Sequence, residues 1–182
     1  MSRIRPPSTF HFSYDTPSSP RTLTLDTNLL LDKATNRTGV DLFDRLIDLT
    51  KLGHFKLYYS GTTDFEDKTG EVMRLVIKLE GEGLIQEDPN VGAGRDFIPG
   101  NPGLHRVEDK DIDDLVETIW PNAQLLGHSY ESKRGDACHL MAHKLNKRDV
   151  FMTNDSELLR KRKTISDKLG VTVMSPQEIL TI

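Results

Sequence analysis

Along the chain, short apolar runs alternate with stretches in which apolar residues recur every three or four positions. That switch of period predicts strands separated by helices. TLTLD (22–26) reads as a strand, and from Asp41 the residues Leu42, Phe43, Leu46, Ile47 and Leu49 fall on one face of a first helix, with Gly53 where a C-cap belongs. FKLYYS (55–60) is short and β-rich, after which Thr63 and Glu66, three residues apart, form a capping box for a helix through Val72, Val76 and Leu79. In DIDDLVETIW (111–120) the residues Ile112, Leu115, Val116 and Ile119 keep helical spacing until Pro121 stops it. A helix from about Gly135 to Asn146 buries Ala137, Leu140, Met141 and Leu145. VFMT (150–153) is a buried strand, 156–169 is helical, VTVM (171–174) is a strand, and Ser175 with Pro176 opens a last helix. Strands alternating with helices predict an α/β fold with a parallel sheet and helices on both faces.

Two segments fall outside this alternation. Residues 1–21 hold four Pro and many Ser without apolar periodicity and read as a flexible arm. Residues 86–108 carry four Gly and three Pro and read as a long irregular loop inside a single domain spanning 22–182. The one cysteine, Cys138, excludes an intrachain disulfide and reads as a small core residue, and no apolar stretch reaches the length of a membrane span. The expected location is therefore the cytoplasm, with no membrane partner. A net charge of -4 gives no overall attraction to a polyanion, so a phosphate partner would have to meet a local basic patch or a bound metal.

The candidate chemistry lies in acids at strand ends. TLDTN (24–28) and FMTND (151–155) each put an Asp, with Thr and Asn beside it, at the mouth of an apolar run. In parallel α/β sheets ligands gather at the carboxyl ends of strands, which sets Asp26 and Asp155 on one rim. Asp136 lies off the apolar face of its helix and is directed toward a cleft. After the second strand come Asp64, Glu66 and Asp67; Glu66 is favoured for the rim by its capping-box position, with Asp64 its competitor. Carboxylates about 4 Å apart repel by roughly 4 kcal/mol per pair at an effective dielectric of about 20, so such a cluster asks for a cation. All-oxygen ligands suit Mg²⁺ or Mn²⁺, which can activate water for in-line attack on a phosphodiester. Thr27, Asn28, Thr153 and Asn154 are short polar groups suited to orienting those carboxylates.

In order and type, LDTNLLLD (25–32), TTDFED (62–67), GDACHLMAHKL (135–145) and FMTNDSELL (151–159) resemble the motifs of the PIN-domain family, including its VapC-like members, over roughly residues 22–181. The resemblance implies a PIN-like three-layer sandwich with a central, mainly parallel sheet. It also implies a metal-dependent endoribonuclease whose acids fall on Asp26, Asp136, Asp155 and either Glu66 or Asp64, with Mg²⁺ or Mn²⁺ as cofactor. RNA is the implied substrate. An antitoxin or other protein partner, and a homodimer, are partners compatible with such a chain. The arm and the 86–108 loop make it longer than small toxin-type members.

Plainer readings stand beside these. An Asp at a strand end before Thr or Ser can simply be a helix N-cap, and that reading applies to Asp26 and to Asp155 taken singly. His139 and His143 with Asp136 share a helical face that could bind a metal, or that is just polar. The run RKRK (160–163), including Lys161 and Arg162, either contacts RNA phosphates or is a solvated face. GAG (92–94) lacks the strand and third glycine of a dinucleotide loop. Among other functions, an aspartyl-phosphate mechanism at Asp26 would want a second acid at position 28, which is Asn. A catalytically degenerate scaffold that binds protein or RNA is the remaining alternative.

Overall fold

The computed structural model describes residues 19–37, 39–60, 70–88, 91–93, 105–107, 109–121, 123 and 129–181. In chain order the elements are β1 (Arg21–Leu25), α1 (Thr27–Ala34), α2 (Val40–Lys51), β2 (Phe55–Ser60), α3 (Glu71–Gly81), β3 (Ile85–Asp88), β4 (Val91–Ala93) and β5 (His105–Val107). They continue as α4 (Asp109–Ile119), α5 (Ser129–Leu145), β6 (Val150–Met152), α6 (Ser156–Leu169), β7 (Val173–Met174) and α7 (Pro176–Ile179). Five strands form one sheet in the order β3-β2-β1-β6-β7, with every pairing parallel, and β4 and β5 form a separate parallel pair.

The period-two alternation of the strands divides the core into two layers. Leu23 and Leu25 of β1 lie level with Val150 and Met152 of β6 and with Leu57 and Tyr59 of β2, and all six join one cluster with Leu30, Phe43, Leu46, Val72, Val76 and Leu79. Thr24, between the two leucines, belongs to the opposite face, level with Tyr58 and Phe151. Phe151 packs there with Ile112, Val116, Ile119, Leu140, Leu158 and Ile165 from α4, α5 and α6. The result is a three-layer sandwich with α1, α2 and α3 on one face and α4, α5 and α6 on the other. Each fully buried leucine or phenylalanine contributes about 2 kcal/mol of apolar burial, so the amphipathic faces, not helix propensity, hold the layers in place.

Connections through the first helical layer carry the chain from β1 outward to β2 and β3, and those through the second bring it back to β6 and β7. The direction of winding therefore reverses between β1 and β6, and the gap beyond their carboxyl ends is where a sheet of this kind admits a ligand.

Three elements depart from the sequence pattern. Helix α1 directly follows Asp26, whereas the pattern gives no helix before Asp41; three consecutive leucines, 29–31, hide the 3.6-residue period. Helix α5 begins at Ser129 rather than Gly135, because a polar first half followed by a glycine reads as a break. The 86–108 segment holds β3, β4 and β5 where its Gly and Pro content predicts irregular chain, and β3 buries Ile85 as the edge strand of the main sheet. The last helix is as expected, with the Ser175 and Glu178 capping box formed and Pro176 in its first turn. Of the arm expected over 1–21, residues 1–18 lie outside the described residues and Arg21 already belongs to β1; the Thr63–Glu66 capping box also lies outside the described residues.

Candidate carboxylate site at the sheet rim

Asp26 follows β1 and its backbone N–H donates to Met152 O (2.9 Å), continuing the β1–β6 ladder by one step. That step brings Asp26 beside Thr153, whose hydroxyl donates to Asp26 Oδ2 at 2.5 Å. Thr153 is held in turn by its own N–H on Met174 O (3.0 Å) and by the Asp155 N–H on its Oγ1 (2.8 Å). One hydroxyl thus receives from one acid's backbone and donates to the other acid's carboxylate, which locks Asp26 and Asp155 into a common frame.

Asp26 sits at the N-cap position of α1 in extended geometry, yet its side chain makes no cap bond. Oδ2 instead receives Thr153 and, at 3.4 Å, Asn28 Nδ2. The N-cap reading therefore fails for Asp26, a carboxylate only 5% exposed. It holds for Asp155, whose Oδ1 accepts the N–H groups of Glu157 (2.6 Å) and Leu158 (3.0 Å) at the start of α6.

Asp136 comes to the same rim from the middle of α5, and is largely buried rather than on an open polar face. Burial pushes its carboxyl up to about 6; Lys133 opposes that shift, while the charges of Asp26 and Asp155 add to it. Asp136 is thus coupled electrostatically to both other acids. The sequence-predicted triad Asp26, Asp136 and Asp155 is brought together. Asp64 and Glu66 lie outside the described residues.

The orienting residues divide. Thr153 and Asn28 bond Asp26, whereas Asn154 turns away and donates to Asp32 Oδ2 (3.2 Å) instead of a triad acid. Thr27 is buried in the first turn of α1. His139 and His143 are buried, so their helix face is neither an open metal site nor a solvated surface. His143 Nδ1 is hydrogen-bonded to Thr24 Oγ1 at 2.9 Å and its ring meets Phe151 edge-on, which commits it to the core. Cys138 is partly buried at the edge of the second apolar layer. On α6, Arg162 pairs with Glu178 at 2.7 Å in solvent and Lys161 is half-buried, both within a few turns of Asp155.

Three residues that the motifs do not flag complete the rim. Lys133, one turn before Asp136, puts its ammonium 3.4 Å from Asp136 Oδ2 and 2.7 Å from Glu157 Oε2. It also lies 5.3 Å from the centroid of the Trp120 ring. Burial alone would lower the Lys133 pKa, but the bond to Glu157 and the two carboxylate charges raise it, so the amine is charged. The three-residue spacing of Lys133 and Asp136 was visible in the sequence; only the α5–α6 packing supplies Glu157 and Trp120.

The donors are all carboxylate oxygens with hydroxyl and amide support, and the strain on Asp136 is of the kind a hard divalent cation relieves. Among the described residues, however, no three His, Cys, Asp or Glu side chains are closed into a ready-made metal shell. No protein-family profile matches the chain, and no curated protein matches it in sequence. Fold and site define an α/β sandwich with a carboxylate cluster at the switch point of its parallel sheet. Among the described residues no helix is long and apolar enough to cross a membrane.

Proposed function

We propose that the chain is a PIN-like, Mg²⁺- or Mn²⁺-dependent endoribonuclease of the cytoplasm, with Asp26, Asp136 and Asp155 as its metal-holding acids and Glu66 or Asp64 as the fourth. The observation that carries this reading is the coupling of three carboxylates from three separate segments at the winding reversal of the sheet. A bound divalent cation would supply a water acidic enough to attack a phosphodiester at neutral pH. The chain's own part is positioning. Thr153 and Asn28 orient Asp26, the first N–H groups of α6 orient Asp155, and Lys133 holds Asp136. Lys161 and Arg162, about two turns along α6 from Asp155, would contact the phosphates of a bound RNA, the Arg162 pair with Glu178 being exposed enough to exchange for a phosphate.

Cleavage of single-stranded RNA in Mn²⁺ should fall by orders of magnitude in Asp26→Asn and Asp155→Asn, each of which keeps side-chain volume. Neutralising Lys161 and Arg162 together should weaken RNA binding and flatten its salt dependence without altering metal binding. Equal cutting by wild type and the Asp26→Asn, Asp155→Asn double variant would overturn the nuclease reading. One observation favours the degenerate scaffold: Lys133 already supplies a positive charge to the cluster. RNA binding without cutting, unaffected by Mn²⁺, would establish that alternative.

A further inference from the structure

The nuclease reading gives the ammonium of Lys133 a hold on Asp136 but no part in metal affinity. It is only 13% exposed, is clasped between carboxylates of two different helices, and sits over the face of a buried tryptophan. A lysine kept merely for solubility would not be drawn out of water in this way, since desolvating an ammonium is costly unless carboxylates repay it. The two bonds are unequal. Nζ is closer to Glu157 Oε2 (2.7 Å) than to Asp136 Oδ2 (3.4 Å), so Glu157 draws the charge toward α6 and away from the acid that belongs to the triad.

We infer that Lys133 is a built-in counter-cation that competes with the divalent ion for Asp136, and that Glu157 sets the strength of the competition by holding Lys133 off. This rests on the metal-dependent reading of the site. Lys133 and Glu157 are then positioning residues that set metal affinity without ligating metal. With the rim empty of a divalent ion, Lys133 partly balances the three acids and offsets the repulsion that Asp136 meets from Asp26 and Asp155. A bound divalent ion would be held by Asp136 in place of Lys133, which would stay on Glu157 over Trp120. The arrangement tunes the site to a middle affinity, while the Lys133–Glu157 pair keeps α5 and α6 pinned together.

The test is calorimetric titration of the full chain with Mn²⁺ alone, a readout that needs no RNA and no activity. Lys133→Met, which keeps the aliphatic stem over Trp120 but removes the charge, should bind Mn²⁺ about tenfold more tightly than wild type, because one positive charge is gone from within about 4 Å of a ligand. Lys133→Arg should restore near-wild-type affinity. Glu157→Gln should bind several-fold more weakly, and this loss should vanish in the Lys133→Met background, since Glu157 acts only through the lysine. A Glu157→Gln loss that persists in that background makes Glu157 a ligand and overturns the inference. Affinity in both Lys133 variants within about twofold of wild type also overturns it, leaving a purely structural ion pair and the nuclease reading intact. Absence of any Mn²⁺ binding by folded wild type, and by Lys133→Met, sinks the nuclease reading itself and this inference with it.

Discussion

Asp136 and His143 are on the same helix, and acid acts on them in opposite senses. The Asp136 carboxyl titrates at about 6 in the fold against 3.8 ordinarily, so ionised Asp136 opposes folding above pH 6, and the opposition fades as pH falls through that value. Asp136→Asn, without metal, should therefore be more stable than wild type at pH 8 by about 1–2 kcal/mol, with the gain shrinking from pH 6 and gone below about pH 4. Urea denaturation at the two pH values checks this, and a loss at pH 8 would contradict it. His143 is the reverse case. Burial, and then the charge of Arg148, depress its pKa to about 4 from 6.5, so the folded ring refuses a proton that the unfolded chain accepts. Its contribution is complete above pH 6.5 and is lost as pH falls toward 4, by about 2–3 kcal/mol at most. His143→Gln keeps a partner for Thr24 and should flatten the loss of thermal stability between pH 6.5 and 4, whereas an acid slope as steep as wild type would remove His143 from the account.

At the scale of elements, Asp155 caps α6 and, on the proposed reading, also holds metal. Asp155 caps α6 through Oδ1 alone, and among the described residues its Oδ2 accepts no hydrogen bond. Asp155→Asn should keep the cap and Asp155→Ala should lose it, at about 1 kcal/mol. The two variants should thus differ in melting temperature while being equally poor in Mn²⁺ binding. If both melt alike, the cap is not contributing. This double use is why the residue pattern alone left Asp26 and Asp155 open between cap and ligand: both precede a helix, and only the Thr153 hydroxyl, brought across from the neighbouring strand, separates them. The helices themselves were legible where one face is apolar, as in α2, α3 and α4. They were not legible where burial runs most of the way round, as in α1 with its leucine run, or where a helix begins in polar residues supported by partners elsewhere, as in α5. There Tyr130 donates to Asp113 and Arg134 pairs with Asp109 and Asp113 of α4, contacts between helices that no local period contains.

Across the whole molecule, the parallel sheet with helices on both faces was legible from alternation alone, but the edge strand β3 was not, because what holds it is remote in sequence. Arg148, just before β6, lies 3.4 Å from the centroid of the Tyr58 ring on β2 and pairs with the buried Asp88 at the end of β3. Burial raises the Asp88 pKa and Arg148 opposes the rise, so removing the guanidinium strands a carboxylate that is 1% exposed. Arg148→Met should cost about 3–5 kcal/mol, and Asp88→Asn in the same chain should recover much of it. Denaturation midpoints that show no recovery would mean that stacking on Tyr58, not charge, is what matters. The central position of β1 has a further consequence, for synthesis. Its neighbour β6 lies more than a hundred residues downstream, and Thr153 and Asp155 follow only after that. A nascent chain thus carries Asp26 well before it can assemble the acid cluster, because the segment through β6 and the start of α6 must first leave the ribosome.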